Sequence, residues 1–368
     1  MKSKWFLIVT AVLAIGMLFS FSLTGCKTTT AAGTTMAAET TMAAETTTAV
    51  ATTEEVVAGA AEEKIGTGMT IYVQCGGKQG EPSTDPMVKG AKDAAELMGA
   101  ELILQFAEWT ADKMVAQMKE AIAAKPDGIV VIGIPGEDAL RPLVEEAFNL
   151  GIVVNSGRVD VPNIEKDYID KGFGYTGLNL YETGRGQAAK VIELAGLKEG
   201  DRVLVLGVKA SSPTLAPLAI GMEDQCKDSG MVVDFIEVTD QMGADPASAI
   251  PVIAGYLSSN SDCKAMMCWH GVMTSIAKQL IEGAGLNADS VFFAGADPSI
   301  QNLEALKEGW LDLIGDQQIY LQGFLPVQQI VLTKAYSFSG LHTPTGNSWL
   351  TKDSNLDMLA PLMEQSIR

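Results

Sequence analysis

Histidine and cysteine are scarce in this sequence. Among 368 residues there are two histidines, His270 and His342, and five cysteines, none of them in a Cys-x-x-Cys pair. A His-rich metal site is therefore excluded, and no cofactor is expected. The sequence also lacks a Gly-x-Ser-x-Gly elbow, a P-loop and a complete Gly-x-Gly-x-x-Gly after a strand. Since no motif indicates catalysis, we expect a binding protein rather than an enzyme.

Basic side chains are also few. Lys and Arg number 26 against 45 Asp and Glu, which gives a net charge of −19. This balance argues against nucleic acid, and we expect no such partner, because the affinity of proteins for nucleic acid comes from Lys and Arg on phosphates. The cysteines after Cys26 have no framework-like spacing, so we expect buried thiols rather than essential disulfides, and no pair can be assigned. They are Cys75, Cys226, Cys263 and Cys268.

The first 26 residues have the pattern of a bacterial export signal. Lys2 and Lys4 precede an apolar run over residues 5–23, and the segment ends in Leu-Thr-Gly-Cys. This ending resembles the lipobox of bacterial lipoproteins, which implies cleavage before Cys26 and lipid on that residue. The alternative is a single membrane-spanning anchor, although the run is at the short end of the roughly 20 residues that a span needs. We expect an exported protein, lipid-anchored through Cys26 to the cell membrane, at its outer face or in the periplasm.

Residues 27–64 form a segment of different composition. They contain the hexamer TTMAAE twice in tandem and no aromatic residue. Such a segment cannot bury enough apolar surface to offset the entropy lost on ordering. The sequence therefore predicts a disordered Thr/Ala/Glu tether between the lipid and the body of the protein.

Residues 65–368 alternate short apolar runs with helical patterns. Repeated β-α units predict parallel sheets covered by helices on both faces. The rhythm restarts after Gly174, which favours two similar lobes, whereas a single (β/α)₈ barrel is the alternative at this length. Runs typical of buried parallel strands lie at 69–74, 101–106, 128–132, 152–155, 202–206, 232–238, 265–269 and 291–294.

Polar and indole side chains follow or end several predicted strands. In parallel α/β sheets ligands bind beyond the carboxyl ends of the strands, so these side chains are the candidate binding residues. Carboxylate, amide and guanidinium groups form paired hydrogen bonds with neighbouring hydroxyls, and an indole covers the apolar face of a sugar ring. The set therefore predicts a carbohydrate site. Its members are Asp85, Trp109, Asn155, Arg158, Trp269, His270, Asp297 and Gln317.

Each candidate also has a structural interpretation. Asp85 and Asp297 precede prolines, as helix N-caps do, and Asp245 repeats this pattern. Trp109 and Trp269, each judged alone, are as consistent with packing in the protein core as with stacking on a ligand. Arg158 can pair with a nearby acid, and Gln317 can close a backbone gap at a hinge.

Three segments of the body resemble a known family. They are FGYTGLNLYETGRGQAAKVI (173–192), VFFAGADPSIQNLEALKEGWLDLIGDQQIYLQGFLPVQQI (291–330) and PDGIVVIG (126–133). These segments resemble the periplasmic sugar-binding proteins of ABC transporters, in particular the ribose-binding-protein-like group, and the resemblance covers nearly all of 65–368. It implies an α/β fold of two Rossmann-like lobes with parallel sheets, joined by a three-strand hinge and closing over one sugar.

The resemblance also implies roles for individual residues. In the family, the residues that match Asp297, Gln317 and Arg158 hydrogen-bond sugar hydroxyls. Those that match Asp85 and Asn155 face the cleft. The motif of Asp297 followed by Asp-Gln-Gln is the most specific part of the resemblance.

The sequence departs from the family pattern at three places. Many members have Asn-Asp where this chain has Trp269-His270, and many carry an Arg early in the helix after Leu206. The aromatic pair that often follows the first strand is replaced here by Gly76-Gly77. Ribose itself is therefore not supported as the ligand. Trp109 and Trp269 are the candidates for stacking on the sugar that binds instead.

Together these patterns predict a domain organisation and a function. After the signal peptide (1–26) and tether (27–64), we expect one lobe from 65–176 plus 318–341 and a second from 177–317 plus 342–368. The protein is expected to be a monomeric, lipid-anchored solute-binding protein that delivers a monosaccharide or polyol to an ABC permease. The alternatives are a nucleoside or furanose-like signal molecule in the same fold and, from another class, a lipid-anchored enzyme acting on glycans with a pair of carboxylates.

Overall fold

The computed structural model of the protein describes residues 63–81 and 83–368. The predicted signal peptide, Cys26 and the predicted tether up to residue 62 lie outside the described residues. Within the described part of the chain, no helix is both long enough and apolar enough to cross a membrane.

The first half of the described chain alternates strands and helices. β3 reads GIVVI and is buried along its whole length, because helices cover both faces of its sheet. The elements are β1 (Thr70–Gln74), α1 (Asp85–Met98), β2 (Glu101–Gln105), α2 (Ala111–Ala124), β3 (Gly128–Ile132), α3 (Glu137–Asn149), β4 (Val153–Val159), α4 (Pro162–Tyr168), a 3₁₀ turn (Ile169–Lys171) and β5 (Gly174–Leu178).

The second half repeats this alternation. Its elements are α5 (Leu180–Leu194), β6 (Arg202–Gly207), α6 (Ala216–Asp228), β7 (Val232–Glu237), α7 (Asp240–Ala244), a 3₁₀ turn (Pro246–Ala249), α8 (Ile250–Ser259), β8 (Cys263–Cys268), α9 (Gly271–Ser275), α10 (Ala277–Gly283), β9 (Phe292–Ala296), α11 (Ile300–Glu308) and β10 (Leu313–Asp316). The last elements are α12 (Ile319–Tyr336), β11 (His342–Pro344), β12 (Ser348–Leu350) and α13 (Leu356–Glu364).

The strands form two six-stranded sheets with the same internal order. The first sheet runs β11-β5-β4-β3-β1-β2 and the second β12-β10-β9-β8-β6-β7. The paired strands are parallel except for β12, which runs antiparallel to β10. Two open sheets rule out the single barrel. In each sheet the strand order reverses beside the first strand of the half, between β1 and β3 and between β6 and β8, where such folds have their ligand crevice.

The fourth strand is longer than the sequence predicted. Its apolar start suggested an end at Asn155, but Asn155, Ser156 and Gly157 are buried and continue the ladder to Val159. The prediction was wrong because Asn and Gly are generally disfavoured in strands. Here β3 pairs with one edge of this segment and β5 with the other, which keeps it in the sheet. Asn155 therefore lies in the middle of β4 and not at its exit.

The chain passes between the sheets three times. It leaves β5 for α5, returns from β10 to α12, which packs on α1, and finally leaves β11 for β12. Hydrogen bonds join these crossings: Thr345 donates from its backbone N–H to Gly177 O (2.8 Å), and Gln318 donates from Nε2 to Thr345 O (3.1 Å). Gln322 donates from Nε2 to both Gln317 O (2.7 Å) and Thr345 Oγ1 (2.9 Å).

The predicted lobe limits stay a prediction. α12 lies with the first sheet, and β11 at His342–Pro344 pairs with β5 in that sheet as well. The third crossing in the structure thus follows Pro344, whereas the sequence placed residues from 342 onward in the second lobe. The sequence missed β11 because three residues are too few to show a strand pattern.

The four cysteines of the described chain are free and buried. Burial raises the pKa of the Cys75 and Cys226 thiols to about 12, and that of Cys263 to about 11. Burial also raises the pKa of Cys268. These thiols are therefore protonated near neutral pH and act as small apolar side chains in the core.

Candidate ligand-binding cleft

The carboxyl ends of the two sheets face each other across a cleft. Thr214, which follows β6, donates from Oγ1 to the carbonyl oxygen of Ile134, which follows β3 (3.3 Å). Charges also meet across the gap. Burial lowers the pKa of the Arg158 guanidinium in the first lobe, and the negative charge of Asp297 in the second lobe opposes this shift. The charges of Arg158 and Asp297, which belong to opposite lobes, therefore interact across the cleft.

Trp109 forms part of the first-lobe wall. It follows β2, and its indole Nε1 donates to Glu81 Oε1 (2.8 Å). The six-membered ring lies against Gly76, where a Cβ atom would stand 2.3 Å from Trp109 Cζ3. Gly76 has φ of +82°, so glycine is required both by the backbone and by the indole. The sequence departure at this position is therefore matched by an indole brought in from the neighbouring strand end.

Arg158 lies over this indole. Its Cζ atom is 4.8 Å from the centroid of the Trp109 ring, and its Nη1 donates to Ser83 O (2.7 Å). The backbone at Arg158 is left-handed, with φ of +67°, as the chain turns at the end of β4. The guanidinium occupies a face of the indole, which gives Trp109 a protein partner at the position where a sugar was expected to stack.

Glu81 completes the first-lobe wall and is not among the site residues predicted from the sequence. Burial alone would raise its pKa, but hydrogen bonds from Trp109 Nε1, Lys78 N and Ser83 Oγ outweigh burial and lower it. The nearby Arg158 charge acts in the same direction. Glu81 is the single acidic residue of the polar segment GGKQGEPST, whose composition gives no sign that this carboxylate binds an indole.

Asp297 lies at the end of β9 in a left-handed conformation, with φ of +61°. It is not the N-cap of the next helix, because Ser299 caps α11 and its Oγ accepts from Asn302 N (3.1 Å). The Asp297 carboxylate instead accepts a hydrogen bond from Gln317 Nε2, and its backbone O accepts from Asn302 Nδ2 (2.8 Å). Asn302 and Gln317 thus hold this carboxylate and its backbone at the strand end.

Trp269 and His270 follow β8 beside Asp297. A Cβ atom on Gly315 would stand 2.4 Å from Trp269 Cζ3, and the Trp349 ring meets the Trp269 ring edge-on with centroids 5.9 Å apart. Trp269 Nε1 and His270 Nδ1 are buried without a hydrogen-bond partner among the described residues. Burial lowers the pKa of His270, and the Asp297 charge opposes that shift.

Asp85 and Asn155 are placed differently from the other candidates. Asp85 is the first residue of α1, after the N-cap position Thr84, and its Oδ1 accepts from Gly80 N (3.0 Å). Asn155 lies inside β4 and donates from Nδ2 to Gly172 O (3.4 Å). A Cβ on Gly174 would stand 2.2 Å from Asn155 Oδ1, so this amide packs within the first lobe. The structure therefore brings together Trp109 and Arg158 in one lobe, and Trp269, His270 and Asp297 in the other, with Gln317 reaching Asp297 from the crossing between β10 and α12.

The described residues contain no group of three or more His, Cys, Asp or Glu that could hold a metal ion. The cleft instead offers hydrogen-bond donors from Arg158 and acceptors from Asp297, with indole edges nearby. This arrangement suits an uncharged ligand that can both accept and donate hydrogen bonds.

Residues 76–333 match the model of a family described as the periplasmic binding protein domain. The match covers well over half of the chain, and the chain therefore belongs to this family. Proteins of this kind bind solutes and do not transform them, so the expectation that the chain is not an enzyme is confirmed. The family's location outside the cytoplasmic membrane agrees with the predicted export.

Individual proteins are similar over most of their length. A xylose/arabinose-binding protein of Sulfolobus acidocaldarius is 25% identical over 288 residues, which cover 73% of this chain and 68% of that protein. A carbohydrate transporter of Acidothermus cellulolyticus, solved with myo-inositol, is 22% identical with a TM-score of 0.65, covering 82% of this chain and 99% of the other. A solute-binding protein of Burkholderia graminis, solved with D-arabinose, is 20% identical with a TM-score of 0.66, covering 78% and 96%. The predicted two-lobed fold of type I periplasmic binding proteins is confirmed.

Proposed function

We propose that this protein captures a monosaccharide or polyol in the cleft between its lobes and delivers it to the permease of an ABC importer. The lobes close about the three crossings, and the ligand favours the closed form because it contacts both lobes at once. In this proposal Cys26 carries the lipid that keeps the protein at the outer face of the cell membrane, and residues 27–64 serve as its tether.

The observation that carries this proposal is the meeting of the two sets of strand ends, where Thr214 of the second lobe donates to Ile134 O of the first (3.3 Å) and the charges of Arg158 and Asp297 interact. A guanidinium only donates hydrogen bonds, and a carboxylate only accepts them. A sugar hydroxyl does both, so neighbouring hydroxyls can accept from Arg158 and donate to Asp297 in one bridging contact. Such bonds to charged groups are stronger than bonds between neutral groups, and they favour closure specifically around a hydroxyl-rich guest.

The known ligands of similar proteins support this class. The Sulfolobus relative is named for xylose and arabinose, and the two solved structures hold myo-inositol and D-arabinose. All of these compounds are small, uncharged and rich in hydroxyls. A cleft with one cation facing one anion matches that class better than it matches a sugar acid.

The nucleoside alternative depended on the two indoles as stacking surfaces. Trp109 has Arg158 over its ring, and Trp269 packs against Gly315 and Trp349. These protein neighbours reduce the indole surface that a base would need, so we favour the sugar.

A thermal-shift panel tests the proposal. Purified full-length protein is heated with pentoses, hexoses, inositols, nucleosides and uronic acids, and each stabilising compound is then titrated by calorimetry. A ligand at 100 times its Kd stabilises by about 2.7 kcal/mol, a shift well above the noise of such a panel. We expect neutral sugars or polyols to stabilise the protein and to be recovered unchanged. Stabilisation by nucleosides alone would contradict the proposed ligand class, and conversion of the sugar would contradict a binding role.

The proposed anchor has its own test. Replacing Cys26 by Ser removes the only lipid attachment point that the lipobox resemblance provides, so the variant should leave the membrane fraction while it keeps its affinity for sugar. Retention of Cys26→Ser in washed membranes would favour a membrane-spanning segment instead.

A further inference from the structure

Glu81 makes contacts that no ligand-binding role requires. Its Oε1 accepts from Trp109 Nε1 and from Ser83 Oγ, both at 2.8 Å, and its Oε2 accepts from Lys78 N at 2.9 Å. A Cβ atom on Gly77 would stand 2.2 Å from Oε2, so the carboxylate is also closely enclosed by backbone. The Glu81 carboxylate therefore accepts three hydrogen bonds from the protein itself. We expect it to act by holding these neighbouring groups in place.

The first neighbour is the indole of Trp109. Glu81 binds the indole at Nε1. Gly76 contacts the six-membered ring so closely that a Cβ atom built on it would stand 2.3 Å from Cζ3. The two contacts hold different parts of the ring system and leave the indole little freedom to rotate. The plane of the ring is thus fixed by Glu81 and Gly76 together.

The second neighbour is Arg158, which Glu81 reaches by two routes. The guanidinium carbon lies 4.8 Å from the centroid of the Trp109 ring, at cation–π distance. Arg158 Nη1 also donates to the carbonyl of Ser83 (2.7 Å), the residue whose hydroxyl is bound to Glu81. A guanidinium has five N–H donors, and the bond to Ser83 uses one of them. The orientation of the others in the cleft therefore depends on the indole and on the backbone that Glu81 holds.

We propose that Glu81 is a positioning residue that sets the direction of the Arg158 donors through Trp109 and Ser83, and so controls the affinity of the first lobe for sugar. This inference rests on the proposed sugar-binding function. It assigns the first-lobe recognition group to a guanidinium of fixed direction, and it gives the indole a supporting role instead of a stacking role.

The test measures the Kd of the tightest sugar from the panel by calorimetry, with the free energy of unfolding from urea titration beside it. Glu81→Ala should weaken binding about tenfold, the loss typical of a released charge-assisted contact. Glu81→Gln keeps an acceptor for the indole and should restore most of the affinity. Glu108→Gln is the matched control, because Glu108 precedes Trp109 but its carboxylate contacts only the exposed Lys113 and Lys78 among the described residues. It should bind as wild type does.

A second background separates positioning from general structural support. In Arg158→Lys the planar fork is gone, so adding Glu81→Ala should cause no further loss of affinity. An equal tenfold loss in both backgrounds would overturn the inference, as would wild-type affinity in Glu81→Ala or an equal loss in Glu108→Gln. If wild type binds sugar while these results fail, only the role of Glu81 is refuted. If wild type binds none of the sugars or polyols, the proposed function falls and this inference falls with it.

Discussion

Gln317 donates a hydrogen bond from its side-chain amide to Oδ1 of Asp297. Asp297 ends β9 in the second lobe, whereas Gln317 lies on the crossing from β10 to α12 and accepts from Gln322 at its backbone oxygen. The proposed ligand-binding carboxylate is thus hydrogen-bonded directly to one of the segments that join the lobes. A ligand that forms a hydrogen bond with Asp297 is therefore linked through Gln317 to one of the crossings about which the lobes would close.

The first prediction concerns the charge of Asp297. Asparagine tolerates the left-handed backbone found here and keeps an oxygen for Gln317, so Asp297→Asn should change the free energy of unfolding by less than about 1 kcal/mol. Affinity for sugar should fall about 10- to 100-fold, because bonds to a carboxylate are replaced by bonds to a neutral amide. Calorimetric titration measures the loss, with Asp245→Asn as the control at an exposed Asp-Pro. Equal affinity in Asp297→Asn and wild type would remove Asp297 from the site.

The second prediction concerns the bond across the cleft between Thr214 Oγ1 and Ile134 O. Thr214→Val keeps the shape of the side chain and removes the donor. If this bond stabilises the closed form, the dissociation rate of the sugar should rise about two- to tenfold, as expected for one neutral hydrogen bond. The association rate should change little, because the bond forms only after closure. Stopped-flow measurement resolves the two rates, and an unchanged dissociation rate would mean that the contact plays no part in retaining the ligand.

Much of the fold could be predicted from the sequence, and the reason is local. Short apolar runs such as that of β3 are typical of buried parallel strands without reference to the rest of the chain. Their alternation with helical patterns, repeated in the second half, predicts an α/β fold of two lobes. The second half of β4 could not be predicted, because Asn155, Ser156 and Gly157 are strand residues only through pairing with neighbours on both sides. The same limitation applies to β11, whose three residues pair with β5 from a distant part of the chain.

The candidate site, like the fold, could be predicted from the sequence only in part. Strand-end positions identified Trp109, Arg158 and Asp297, because the carboxyl ends of parallel strands meet at one edge. Position alone could not show that the guanidinium covers the indole, since that contact joins the ends of β2 and β4. Glu81 carried no local signal at all, because its role depends on an indole 28 residues further along the chain.

The third prediction concerns the contact of Trp269 with Gly315. A Cβ atom at position 315 would stand 2.4 Å from Cζ3 and 2.5 Å from Cη2, and an indole cannot yield as a flexible side chain does. Gly315→Ala should therefore destabilise the fold by about 1–3 kcal/mol and displace the indole, with a change in its fluorescence. Gly243→Ala is the control, because no heavy atom lies within 4 Å of its Cβ position. Urea titration of both variants checks the difference, which should be absent if Trp269 can move freely.

The fourth prediction concerns His270 and pH. Burial lowers the pKa of His270 below the ordinary value of about 6.5, so the unfolded chain takes up this proton at a higher pH than the folded protein does. Stability must therefore fall as the pH drops through the ordinary histidine pKa, and it levels off only below the folded pKa. His270→Gln lacks this proton and should lose less stability than wild type between about pH 7.5 and about pH 5. Urea titrations across this range give the comparison, with His342→Gln as the second histidine variant. Parallel pH curves for wild type and His270→Gln would show that this imidazole titrates alike in both states.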